Sequence, residues 1–260
     1  MTIDSDQSMS VSEMEAYEVI ILSPNLTTGS LISEIELTAW LEGPFNGTDM
    51  NTNLTGQPEP VEDFPLTQPY STSPWNYYGA ENILSIPNAD VVDWILIELR
   101  ETAGGASSAT SGSTIARKAG FILNNGSIVG LDGSSPIQME AEIHNDLYIV
   151  VWHRNHIGVM SAIPLVEVNG VYSYDFTTSS EQAYGIDAQK ELAPGVWGLI
   201  AADGNADGFI NNLDISTIWA PKAGDAGYNS GDFDLNAEVD NKDKDDIWAP
   251  NEGKGSQVPD

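Results

Sequence analysis

The most legible chemistry lies toward the C-terminal end, where acids and amides recur in a fixed rhythm. Asp203, Asn205, Asp207, Asn211 and Asp214 stand at positions 1, 3, 5, 9 and 12 of one segment. Asp232, Asp234, Asn236, Asp240 and Asp243 stand at the same positions of a second segment, 29 residues on (203 to 232). That spacing wraps oxygen donors around a hard cation that takes roughly six to eight of them, so the segments read as two Ca²⁺ loops. Position 7, Phe209 or Glu238, supplies its backbone carbonyl. Position 8 is apolar in both, Ile210 and Val239, and the two are expected back to back. Position 6, the sharp turn, is Gly208 in the first loop and Ala237 in the second. A side chain is strained at positive φ, so the second site is expected to be weaker or differently shaped. The duplication runs on: Ile218-Trp219-Ala220-Pro221 matches Ile247-Trp248-Ala249-Pro250, and Gly224 matches Gly253. An accidental acidic tail would not repeat both the loop and the Ile-Trp-Ala-Pro segment after it.

Other candidates carry less. His153 and His156 form an H-x-x-H leaving a strand, where residues i and i+3 are expected on opposite sides. A structural role is therefore expected, with the histidines or Arg154 bonded to loop carbonyls or acids. His144 reads as a turn residue. Arg100, Arg117 and Arg154 are expected to pair with carboxylates of neighbouring strands. No pair among the acids is singled out for glycoside hydrolysis, and no catalytic residue is assigned. Trp75, Tyr77 and Tyr78 form a potential aromatic stripe for sugars, set against simple loop anchoring. Sequons at Asn25, Asn46, Asn53 and Asn125 are near the number chance gives.

These residues need a body to position them. The 260-residue chain carries 39 acidic and 9 basic residues, a formal net charge of −30, and no cysteine. Phosphate contacts need Lys or Arg, so nucleic acid and anionic membrane surfaces are poor partners. Thiol catalysis, disulfides and cysteine-based metal sites are excluded. A secreted chain without disulfides needs another staple, and bound metal is one. No apolar run is long enough to span a bilayer, and Met1 to Ser12 lacks a signal-peptide pattern.

The body reads as all-β. Leu31 to Leu41 alternates, with Ile35, Leu37, Ala39 and Leu41 on one face. Residues 43–76 read as a long irregular loop and Gly104 to Ser113 as a flexible one. Trp94 to Leu99, Ile137 to Ile143, Leu147 to Trp152 and Val196 to Ala201 read as strands. Asn124-Asn125-Gly126 and Asn169-Gly170 mark hairpins. Short strands at this spacing predict a β-sandwich, Ig-like or jelly-roll-like, over 31–202. A small α-helical calcium unit comes next over 203–260, with Pro221 and Pro250 ending each helix after about two turns. Trp219 and Trp248 are expected to anchor that unit to the body. An N-terminal arm, 1–30, holds the apolar run Ala16 to Leu22, a candidate pairing strand.

The repeat over 203–253 resembles the dockerin type I family, a duplicated EF-hand-like calcium loop with Asp at position 12. In that family positions 10 and 11 read the partner, often as Ser-Thr; here they are Asn212-Leu213 and Asn241-Lys242. Residues 37–259 also resemble a β-sandwich-plus-calcium-repeat module found at the C-terminal end of large secreted bacterial surface proteins. The motifs carrying this are Leu41 to Met50, Pro74 to Tyr77, Val92 to Arg100, Trp152 to His156 and Gly253 to Pro259. The resemblance implies an extracellular or cell-surface building block, and a non-enzymatic role is expected. Its expected partners are copies of itself or other extracellular modules, with glycans or a dockerin-type adaptor role as alternatives.

Overall fold

The computed structural model describes residues 32–56, 61 and 63–260. The arm 1–30, with its run 16–22, lies outside the described residues.

The longest strand, β2 (Val91–Thr102), is a run rich in branched residues, and its first ten are all buried, Asp93, Glu98 and Arg100 among them. It lies between β3 (Thr114–Leu123) and β6 (Asp146–His153), antiparallel to both. β6 shows why such a run has no polar face. Leu147, Ile149 and Val151 enter the main core, while Tyr148 and Val150 join Ala109 and Met160 in a second cluster, with Val258 packed against it. A strand covered on both faces has no solvent side to mark with polar residues.

The remaining strands are β1 (Ile32–Thr38), β4 (Ser127–Val129), β5 (Ile137–Glu140), β7 (His156–Met160), β8 (Glu167–Val168) and β9 (Val171–Asp175). They join β2, β3 and β6 in one nine-stranded sheet, ordered β7-β6-β2-β3-β4-β1-β9-β8, with β5 also on β1. Only the β1–β9 ladder is parallel. The sheet curls into a half-barrel around Trp94, Tyr70, Phe121 and Phe176, the rings of Trp94 and Phe121 lying 4.3 Å apart. Ile35, Leu37, Ala39 and Leu41 are buried as their alternation requires. Both Asn-Gly hairpins form, with Gly126 at φ 83° and Asn169 and Gly170 at φ 56° and 87°.

Several boundaries differ from the sequence expectation. Ile137 to Ile143 shortens to β5. Val196 to Ala201 shortens to β11 (Val196–Gly198), which pairs with β10 (Lys190–Ala193) in a separate two-stranded sheet. Gly104 to Ser113 holds two 3₁₀ turns, Ala106–Ser108 and Ser111–Ser113, because Ala109 between them is buried against the sheet. The described residues of 43–76 are mainly irregular apart from a helical turn at Asn53–Gly56. This stretch is tied down by Tyr70, whose hydroxyl donates to Trp94 O at 2.8 Å. Among the described residues no helix is long and apolar enough to cross a membrane.

Candidate metal centre

Residues Leu31–Asp260 form one compact unit, so both acidic loops can be described together with the sheet. In each loop the first acid holds the turn. Asp203 accepts from Asp207 N and Gly208 N at 3.1 and 3.0 Å, and Asp232 from Asn236 N and Ala237 N at 3.0 and 2.9 Å. The last acid reaches back across the loop. Asp214 accepts from Asn205 N and Asn211 N; Asp243 accepts from Phe233 N, Asp234 N and Asp240 N. Asp207, Asn211, Asn236 and Asp240 each accept from the backbone N–H two residues on. Position 6 is left-handed in both loops, Gly208 at φ 84° and Ala237 at φ 74°. Ala237 keeps that conformation with its methyl packed against the main core.

The donor set is all oxygen. Asp203, Asp214, Asp232 and Asp243 are buried, and among the described residues none forms an ion pair with Lys, Arg or His. Burial pushes Asp232 up to about 8 despite the nearby Arg154 charge, with Asp243 and Asp234 adding to the rise. Burial, then the charge of Asp214, pushes Asp203 up to about 7. Burial also raises Asp243 to about 6, and raises Asp214 and Asp234. Buried carboxylates that repel one another are costly without a cation among them. In the second loop Asp232, Asp234 and Asp243 bring three carboxylate oxygens within 4.8 Å of one another, so this cluster can hold a metal ion.

The two repeats exchange contacts reciprocally. Trp219 Nε1 donates to Asp240 O at 2.8 Å, and Trp248 Nε1 to Asn211 O at 3.0 Å. Each indole thus fixes position 9 of the opposite loop. The indole N–H groups serve the repeat itself; the ring bodies pack beside Ile157 and Ile200 of the sheet side. Ile210 and Val239, expected back to back, are both fully buried, and each makes its backbone bonds elsewhere. Ile210 pairs with Gly253 and Lys254, and Val239 with Gly224 and Asp225, so each loop pairs with the segment after the other repeat's helix. The helices differ too. Asp214–Trp219 and Asp243–Trp248 are π-helical, and helical turns continue through Lys222 and Asn251. Pro221 and Pro250 therefore sit inside the last turn rather than ending it. They lie at the start of a new short turn, where a missing N–H breaks no bond.

The sheet side carries a buried polar network whose key acid sequence reading missed. Asp93 accepts from Trp94 N at 2.7 Å, Tyr228 Oη at 2.8 Å, Arg154 Nε at 2.8 Å and His153 Nε2 at 3.2 Å. Burial alone would raise its pKa, but the Arg154 charge and the His153 hydrogen bond win and hold it at about 2. The only signal in the sequence was an acid near the start of a largely apolar strand, which also holds Glu98 and Glu101. His153 and His156 face each other across the Arg154-Asn155 turn, with Nδ1 atoms 3.0 Å apart. They share a side because a two-residue turn makes them a cross-strand pair, which corrects the expectation of opposite sides. Burial lowers both histidines, leaving them neutral near pH 7. Their partners fix the tautomers. Gly43 N donates to His156 Nε2, His156 Nδ1 donates toward His153 Nδ1 and Asn155 Oδ1, and His153 Nε2 donates to Asp93. The two histidines are thus held by an acid, an amide side chain and a main-chain N–H, the kind of bonding expected of them from sequence.

Arg100 pairs at 2.6 Å with Glu98, two residues back on its own strand β2 rather than on a neighbouring strand as expected. Arg117 instead donates to Trp75 O at 2.7 Å and lies over the Tyr77 ring. Trp75 and Tyr77 are half-buried against the core and only Tyr78 is exposed, so the three form no open stripe. A second clamp joins Glu42, Lys190, Asn251 and Ala201. Asn251 Nδ2 donates to Glu42 Oε2 at 2.7 Å and to Ala201 O at 3.1 Å, and Lys190 pairs with Glu42. The loops also approach the body closely at Gly43, where a Cβ would lie 1.8 Å from Phe233 O.

No family model matches the chain, and no curated protein matches it. Among solved structures, an interface mutant of a type II cohesin–X–dockerin complex from Acetivibrio cellulolyticus matches at 15% identity, over 62% of this chain and 82% of that chain, with a TM-score of 0.35. At that level the match carries nothing about site or chemistry.

Proposed function

We propose that the chain is a calcium-stabilised, non-catalytic structural module of an extracellular or cell-surface assembly. The observation that carries this is the clustering of Asp232, Asp234 and Asp243 within a duplicated loop. On this reading Asp203, Asn205, Asp207, Asp214 and the Phe209 carbonyl hold one Ca²⁺, with Asn211 at position 9. Asp232, Asp234, Asn236, Asp243 and the Glu238 carbonyl hold the second, with Asp240 at position 9. The ion neutralises the buried acids and fixes the loops; the curled sheet is the sandwich-type body they staple. Calcium calorimetry is expected to give two sites, with Asp203→Ala and Asp232→Ala each removing one. Absence of binding defeats the reading.

In its sharper form the module is a fibre subunit. The support is sequence: Ala16 to Leu22 is strand-like, with Pro24 and a polar segment between it and β1. Such a run can complete a neighbour's sheet, and head-to-tail addition builds filaments. Deletion of residues 1–23 is expected to leave a folded protein that no longer forms filaments in calcium, as seen by negative-stain microscopy. A truncation that unfolds a protein already monomeric refutes the fibre form and leaves the calcium module standing. A dockerin-type adaptor is the second reading, favoured by the exposed Phe209 and Leu213 on the first loop. Cohesin pull-down tests it.

A further inference from the structure

Asn155 sits at the tip of the β6–β7 hairpin and is fully buried. Its main-chain oxygen accepts from Ala202 N at 3.0 Å and Asp203 N at 3.2 Å. Its side-chain Nδ2 donates to Asp232 O at 2.6 Å and to Ser230 O at 3.3 Å. One residue therefore grips position 1 of both acidic loops, but with different groups: main chain for the first, side chain for the second. The amide cannot turn over, because Oδ1 accepts from His156 Nδ1 at 2.9 Å while Nδ2 faces two carbonyls. Its neighbour Arg154 reinforces the same approach. Arg154 is anchored on Asp93, lies 4.1 Å over the Tyr228 ring and donates to Asn229 O.

We infer that Asn155 is a positioning residue for the second cation, its side-chain amide presetting the start of the 232–243 loop from within the β-body. The inference rests on the calcium-loop reading above. A loop whose first residue is already fixed loses less chain entropy when it closes on an ion. The Asp232 carboxylate then meets the N–H groups of Asn236 and Ala237 from a defined origin. The first loop has no such dependence on a side chain. Its start is held by the Asn155 carbonyl, which every substitution keeps.

That asymmetry sets the test. Calcium calorimetry on the full chain is run in two parents, Asp214→Asn, which leaves the second loop readable, and Asp243→Asn, which leaves the first. Adding Asn155→Ala or Asn155→Asp is expected to weaken the second loop about 10- to 100-fold, the range for residues that orient metal ligands. The first loop should change less than about 3-fold, since its backbone contact is retained. Asn155→Asp matters because it keeps the shape and removes the donor. Where Asn155→Ala does not fold by circular dichroism, Asn155→Ser carries the comparison. An unchanged second loop, or equal losses at both loops alongside a lower melting temperature, overturns the role of Asn155 alone. Parents that bind no calcium overturn it together with the loop reading.

Discussion

Removing calcium with EDTA at pH 8 is expected to lower the melting temperature by about 15 °C or more. A ligand at 1,000 times its Kd contributes about 4 kcal/mol per site, and two sites act together. For a chain of this length each kcal/mol moves the midpoint by about 2–4 °C. The pH dependence gives the result its signature. In the metal-free protein Asp232, Asp203 and Asp243 titrate at about 8, 7 and 6 when folded, above their ordinary value of 3.8. The folded state then binds more protons than the unfolded one, so metal-free stability rises as pH falls from about 8 toward 4. Calcium binding needs the carboxylates ionised and weakens in the same direction. The metal-free protein should therefore melt higher at pH 5 than at pH 8, and the calcium-loaded protein lower. Equal melting temperatures with and without EDTA at pH 8, or a metal-free midpoint flat across this window, would defeat the proposal that the loops staple the fold.

Asp93→Ala is expected to cost about 3–5 kcal/mol, because it leaves Arg154 charged, buried and unpaired. The same change strands the Tyr228 hydroxyl and the His153 Nε2–H, both of which donate to Asp93. Asp93→Asn should recover little, since an amide does not balance the guanidinium. Removing both charges, as Asp93→Asn with Arg154→Met, should recover part of the loss by deleting the orphan cation. The wild-type pair has its own pH limit. Asp93 is held at about 2 when folded, below its ordinary 3.8. Its stabilisation is complete above about pH 4 and is lost as pH falls through 2, outside the window where the loop acids titrate. Urea denaturation at pH 7 checks the size of the effect. A midpoint within experimental error of wild type for Asp93→Ala would mean that the network is not what joins the hairpin to the 228–232 segment.

Sequence alone was enough for features that depend on local chain geometry. The loop spacing, the left-handed demand at position 6, the two Asn-Gly hairpins and the inward face of β1 each follow from neighbours a few residues apart. The sequence also implied that Ala237 would be conformationally awkward, and it does stand at φ 74°. Contacts between residues far apart in the chain lay beyond it. Nothing near Asp93 in sequence announces Tyr228, 135 residues away, or Arg154, 61 away. The histidines were misplaced because facing depends on whether two residues end one strand or flank a turn. The exchanged backbone pairing of the loops lay beyond the sequence for a similar reason. Two equivalent repeats can pair like with like or exchange, and only the packed chain decides. Here each position 8 bonds to the glycine segment of the other repeat, and each tryptophan holds the other's position 9. Local chemistry determined that the loops exist; long-range packing determined what holds them, because a buried polar group takes whichever distant partner the fold brings within hydrogen-bond reach.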